Sequence, residues 1–186
     1  MPNIHIPADN LADPLGYALT RHSPVIGAAA GNFVRAVYQS LGVSLRIAEA
    51  ARYRIAQING CLVCKGFRAA DNLDGYLASV GGDPSSSLVA RGGAKPDEAF
   101  YAAIDEWKTS PLLDERERLA VDLAERMAFA PDDLGYDDAF WSKMRAAYSD
   151  AEITDLTLAI GMWMAMGRFT HSLGLDTVCL PTVAAA

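Results

Sequence analysis

The chain has 186 residues, 51% of them apolar and 21% charged, a globular composition long enough to bury a core without disulfides or metal. A formal charge of −7 with no run of Lys or Arg argues against nucleic acid and against an anionic membrane surface as partners. The longest apolar run, Leu156 to Gly167 between Asp155 and Arg168, falls short of the roughly 20 residues that cross a bilayer and reads as a buried helix.

The first residues, "MPNIHIPADN", show no basic start ahead of an apolar core, so no export signal is expected and the protein is expected to be cytoplasmic. Helix signals then dominate, without period-two alternation. Ser23 and Pro24 read as N-cap and first residue of a helix closed by Gly42. A second helix is predicted from about Ser44 to Asn59, stopped at Asn59-Gly60, and a third from Cys61 to about Leu77. Residues 80–95 form a Gly/Ser/Pro-rich connector between two helical halves, with helix resuming near Pro96. Asp114 with Glu117, and Ser149 with Glu152, form capping boxes ahead of two further helices, and "DAFWSKMRAAY" between them reads as one more. The expectation is a single all-α domain over 1–186 with six or seven helices and a CxxC at the start of a helix.

That CxxC, Cys61 and Cys64 in "QINGCLVCKGFR", carries the chemistry. In a reducing compartment such a pair is more often catalytic or metal-binding than structural. The first turn of a helix favours thiolate over thiol, and this separation lets the sulfurs bridge. By position alone Cys61, nearest the helix end, reads as the exposed nucleophile. Folding the two helices back at Gly60 brings Glu49 and Arg68 to similar depth, roughly 16 and 12 Å along their helices. A Glu49–Arg68 pair near Cys64 is therefore expected, with a buried ion pair beside two core cysteines as the plain alternative.

Together these residues, "EAARYRIAQINGCLVCKGFRAAD", resemble the core of the carboxymuconolactone decarboxylase superfamily, specifically its AhpD-like alkylhydroperoxidase branch, with Glu49 twelve residues before Cys61. The later segments "LDERERLAVDLAERM" and "YSDAEITDLTLAIGMWMAMGRFTHSLGLD" are similar to its later helices, and the resemblance covers about residues 23–176. It implies an AhpD-like helical subunit that assembles as a trimer or hexamer and reduces organic hydroperoxides or disulfides with a dithiol reductant, needing no metal, flavin or haem. It also implies that Cys64 attacks the peroxide, Cys61 resolves and Glu49 relays protons. The sequence departs from the family in having Arg68 where a relay histidine often stands, and Val63 between the cysteines. Since arginine does not exchange protons near neutral pH, weak peroxidase activity is expected, with Tyr53 and His171 as possible relay groups. A non-enzymatic redox-sensing or interaction module, and a lactone decarboxylase-like lyase, are the alternatives.

Other features read more plainly. His5 and His22 are expected at the surface. Cys61, Cys64, His171 and Cys179 lack the paired spacing of a zinc site. Met162, Trp163, Met164 and Met166 are expected in the core or a subunit interface, with an apolar pocket for an organic peroxide as the functional alternative. "GAAAG" at 27–31 reads as close helix packing, and Asp132, Asp133, Asp137 and Asp138 as a solvated loop and helix start.

Overall fold

A computed structural model describes residues 1–176, which form ten α-helices joined by turns, with no strand among the described residues; Cys179 lies outside them. α1 (Pro14–Tyr17) leads through one wider turn into α2 (Pro24–Ser40), which opens with Pro24 at its first position. α3 (Leu45–Asn59) starts where Ser44 Oγ accepts the Ile47 N–H and stops at Gly60, whose φ of +69° suits glycine. α7 (Glu115–Phe129) and α10 (Asp150–Ser172) each begin with the expected capping box. Asp137 caps α9 (Asp138–Ala147) and pairs with Arg126, while the short α8 (Pro131–Leu134) precedes it.

α3 forms the middle of the molecule, packed between α7 and α10. Small side chains face these contacts: Ala48, Ala50, Ala51 and Ala56 on α3, Ala120 and Ala124 on α7, and Ala159 on α10 are all buried. Alanines at a contact let helix axes approach closely, and Ile55, Leu123, Leu156 and Ile160 fill the space between. Buried in this way on its flanks, α3 can hold polar residues away from water, and its Glu49 and Arg52 are both buried.

Two expectations are corrected. The segment after the CxxC is two helices, α4 (Leu62–Gly66) and α5 (Ala69–Ser79), separated by extended residues Phe67 and Arg68. The cause is tertiary. Arg52 of α3 donates to the carbonyls of Cys64 (2.6 Å) and Phe67 (2.9 Å), which a continuous helix would have used for its own N–H groups. The Ala69 N–H goes to Glu49 at 3.3 Å and the Arg68 N–H to Asn72 Oδ1 at 2.9 Å. The 80–95 connector likewise does more than link two halves. Its Leu88 is 2% exposed within the main core, and Arg91 donates to the carbonyls of Gln39 and Leu41 at the end of α2.

Candidate functional site

Cys61 and Cys64 form a disulfide, with Cα atoms 5.3 Å apart. Cys61 is the N-cap of α4, where its sulfur accepts the Cys64 N–H at 3.3 Å, and it is 0% exposed. Cys64 is half-buried and stands in the wall of a cavity of about 450 Å³. The expectation of Cys61 as the exposed sulfur is therefore reversed: Cys61 turns in to accept the Cys64 N–H and is buried, while Cys64 lies in the cavity wall. Around Cys64 the cavity wall is apolar and aromatic, with Tyr38, Phe67, Met162, Trp163 and Met166. The methionine and tryptophan cluster thus serves core and cavity together. Asn59 also lines it, held by its amide donating to the carbonyls of Trp163 and Met164 on α10. This crossing depends on Gly167, where a Cβ would come within 2.4 Å of the Asn59 nitrogen.

Behind the cysteines, Glu49 does not meet Arg68. Its carboxylate accepts from Arg52 Nε and Nη2, from the Tyr101 hydroxyl and from the Ala69 N–H. Burial works against the charge on Arg52, but the attraction of Glu49 outweighs it and raises the Arg52 pKa further. Burial, with Glu49 beside it, pushes the Tyr101 phenol well above its ordinary value. Arg68 instead stands at the N-cap position of α5 without capping it and makes a two-bond ion pair with Glu98 of α6 (Glu98–Ala103) at 2.7 and 3.0 Å. Its guanidinium lies over the rings of Tyr101 (4.1 Å) and Tyr53 (5.4 Å), and it is not among the residues lining the cavity. The correction follows from the helix break: Arg68 no longer lies one turn beyond Cys64.

On the other side of α4, Asp176 accepts the Leu62 N–H at 2.9 Å and pairs with His171 Nδ1 at 2.9 Å. Burial pushes the Asp176 carboxyl up, but these bonds outweigh it and hold it below the usual carboxylate value.

No family model matches the chain. An uncharacterized protein of Mycobacterium tuberculosis is 31% identical over 156 residues, 83% of this chain and 47% of the relative. The uncharacterized protein YnjA of Escherichia coli is 30% identical over 93 residues, 50% of this chain and 49% of the relative. The chain spans about half the length of the curated relatives it matches. A solved structure is similar through most of both chains. It is a protein of unknown function from Agrobacterium tumefaciens, proposed to be the antioxidant defence protein AhpD, with a TM-score of 0.62 and 23% identity over 87% of this chain and 95% of that one. The fold is AhpD-like.

Within this AhpD-like fold the candidate residues fall into separate places. Cys61 and Cys64 are together, Glu49 lies behind them as part of a buried ion pair, and Arg68 with Tyr53 forms an outer layer over Tyr101. His171 stands against Gly60, at the entrance to α4. Three residues were not found from the sequence: Arg52, Tyr101 and Asp176. Arg52 left a signal, being three residues after Glu49 and so on the same helix face. Tyr101 and Asp176 are distant in sequence from what they bind and left none.

Proposed function

We propose that the chain is a thiol-dependent oxidoreductase that reduces organic hydroperoxides through Cys64 and Cys61. One observation carries this reading: Cys64, the more exposed sulfur, opens into an apolar cavity of about 450 Å³, with a second sulfur within bridging distance behind it. A cavity lined by aromatic rings and methionine sulfur favours an alkyl or aryl group over water or hydrogen peroxide. In the reaction, the Cys64 thiolate attacks the terminal peroxide oxygen, the O–O bond breaks, and the alkoxide leaves as alcohol after taking a proton. The Cys64 sulfenic acid is then attacked by the Cys61 sulfur, releasing water and forming the disulfide. A dithiol returns two electrons and two protons.

Glu49 is not the proton relay in this scheme. Its acceptor sites are filled by Arg52, Tyr101 and Ala69, so it holds the turn that carries Cys64. The homo-oligomer implied by the sequence resemblance is part of the proposal, and exposed Val25 and Ile26 on α2 and Leu158 on α10 are apolar surface that another subunit would cover. So is a cytoplasmic setting. The test is thiol counting before and after one equivalent of cumene hydroperoxide, followed by turnover with a dithiol. The expected result is loss of two thiols per chain, faster than with hydrogen peroxide, and abolished by Cys64→Ser. Equal rates with both peroxides would remove the role of the cavity, and no thiol loss would remove the function.

A further inference from the structure

The scheme leaves one proton unassigned. Cys61 is 0% exposed, so its thiolate, formed each time the disulfide opens, is cut off from water. Burial disfavours the charged form of a thiol, and the Cys64 N–H at 3.3 Å is one hydrogen bond, not a proton source. Arg68 faces Glu98 and the tyrosines, and Glu49 is enclosed by its own donors.

His171 differs from these. Its side chain is 50% exposed on one side, while on the other its ring lies against Gly60, the residue before Cys61, with Nε2 3.3 Å from where a Cβ on Gly60 would stand. Glycine at 60 therefore serves two needs, the left-handed turn and the close approach of the imidazole. The Asp176 carboxylate, an acceptor, sets the proton of His171 on Nδ1 and turns Nε2 toward Gly60. The same carboxylate oxygen accepts the Leu62 N–H, so ring and cysteine turn share one anchor.

We infer that His171 carries the proton between solvent and Cys61, directly or through one water, with Asp176 as the residue that positions it. When a dithiol thiolate attacks the Cys64 sulfur, the S–S bond breaks, Cys61 leaves with the electron pair, and the His171 imidazolium supplies its proton. The second thiol of the reductant then closes on the mixed disulfide, releasing Cys64. In the forward direction His171 takes the Cys61 proton as Cys61 attacks the sulfenic acid, and the leaving hydroxide takes a proton from solvent and departs as water. The ionisable group bonded to the ring is Asp176 from the segment after α10, the only ion-pair partner of His171 among the described residues, and Cys61 directly follows the Gly60 against which the ring lies. The inference rests on the proposed redox role of the pair but not on its substrate.

The test is the rate at which dithiothreitol opens the disulfide, from pH 5 to 8.5 and divided by the reductant's thiolate fraction. In the wild type the corrected rate should rise as pH falls, in one step within that range. In His171→Gln the step should vanish and the rate at pH 6 should drop by at least about tenfold. In Asp176→Asn, which loses the bond that orients the ring, the rate at pH 6 should also drop, by less than in His171→Gln. A wild-type profile without a step, which needs no variant to observe, overturns the inference, as does a step that survives His171→Gln. Because no peroxide is present, the outcomes are separable. A stepped profile without hydroperoxide turnover would sink the proposed substrate alone, and turnover with a flat profile would sink His171 alone.

Discussion

Two acidic residues flank the cysteine turn, and their surroundings are opposite. Glu49, on its α3 side, is buried with Arg52, and its oxygens are filled by the guanidinium, a phenol and a backbone N–H. Asp176, on the α10 side, shares its carboxylate between one backbone N–H and a histidine that is half in solvent. A carboxylate locked to an arginine in a dry interior is suited to holding backbone in place and not to passing protons. A carboxylate bonded to an exposed imidazole can orient a group that does exchange them near neutral pH. The difference separates an anchored carboxylate from one that orients a half-exposed ring, two settings that a single glutamate in this position could have been expected to combine.

The comparison predicts a descending series of stability losses. Arg52→Met should cost most, about 3–5 kcal/mol, because it leaves Glu49 charged and unpaired in the interior, together with the Cys64 and Phe67 carbonyls. Replacing both partners, as Glu49→Leu with Arg52→Met, should cost less than Arg52→Met alone; urea denaturation of the three proteins checks the order. Tyr101→Phe removes one hydrogen bond to a charged group and should cost about 1.5–3 kcal/mol by the same measurement. A loss from Arg52→Met no larger than that from Tyr101→Phe would break the claim that α3 holds the anchor.

On the other side, Asp176→Asn should cost about 1–2 kcal/mol at pH 7. The Asp176 pKa is lowered by folding. Its stabilisation is therefore complete above the unfolded carboxylate value, near pH 4, and is lost as pH falls through the lower folded value. The stability gap between wild type and Asp176→Asn should begin to narrow below about pH 4 and close only as pH falls through the lower folded value; a constant gap down to about pH 2 would contradict the bonding described. Smallest of all, Arg68→Met should cost no more than about 1 kcal/mol, since its partner Glu98 has a side chain 77% exposed. Neither Arg68→Met nor Arg68→His should move the thiol pKa or the peroxide rate, as followed by thiolate absorbance and turnover. A gain in rate from Arg68→His would return Arg68 to the site.

The parts of the fold that could be read from the sequence are those settled within one turn of helix. The Asp114–Glu117 and Ser149–Glu152 boxes and the Gly60 stop needed only neighbours in the chain. The cysteine pair and Glu49 were legible as a pattern of spacing. The helix break at Phe67 was not, because it is imposed by a guanidinium from another helix on carbonyls that carry no side-chain signature. The same error misplaced Arg68: extending one helix through the break put it on the face of Cys64. The unequal burial of the two sulfurs was hidden too, since an N-cap and a third helical position look alike in a CxxC. His171 was visible as a candidate, but its orientation depends on Asp176 folding back beneath it, which no local rule anticipates.

The grip of Arg52 on the Cys64 and Phe67 carbonyls has a further consequence. The shape of this turn is maintained by contacts that do not pass through sulfur. Opening the disulfide removes one cross-link from a loop already fastened to the interior, so the reduced and oxidised proteins should superpose closely around α4. A redox signal needs a segment with two alternative arrangements to report its state. A loop with one arrangement is better matched to repeated cycling, in which the scaffold must be unchanged when the next substrate arrives.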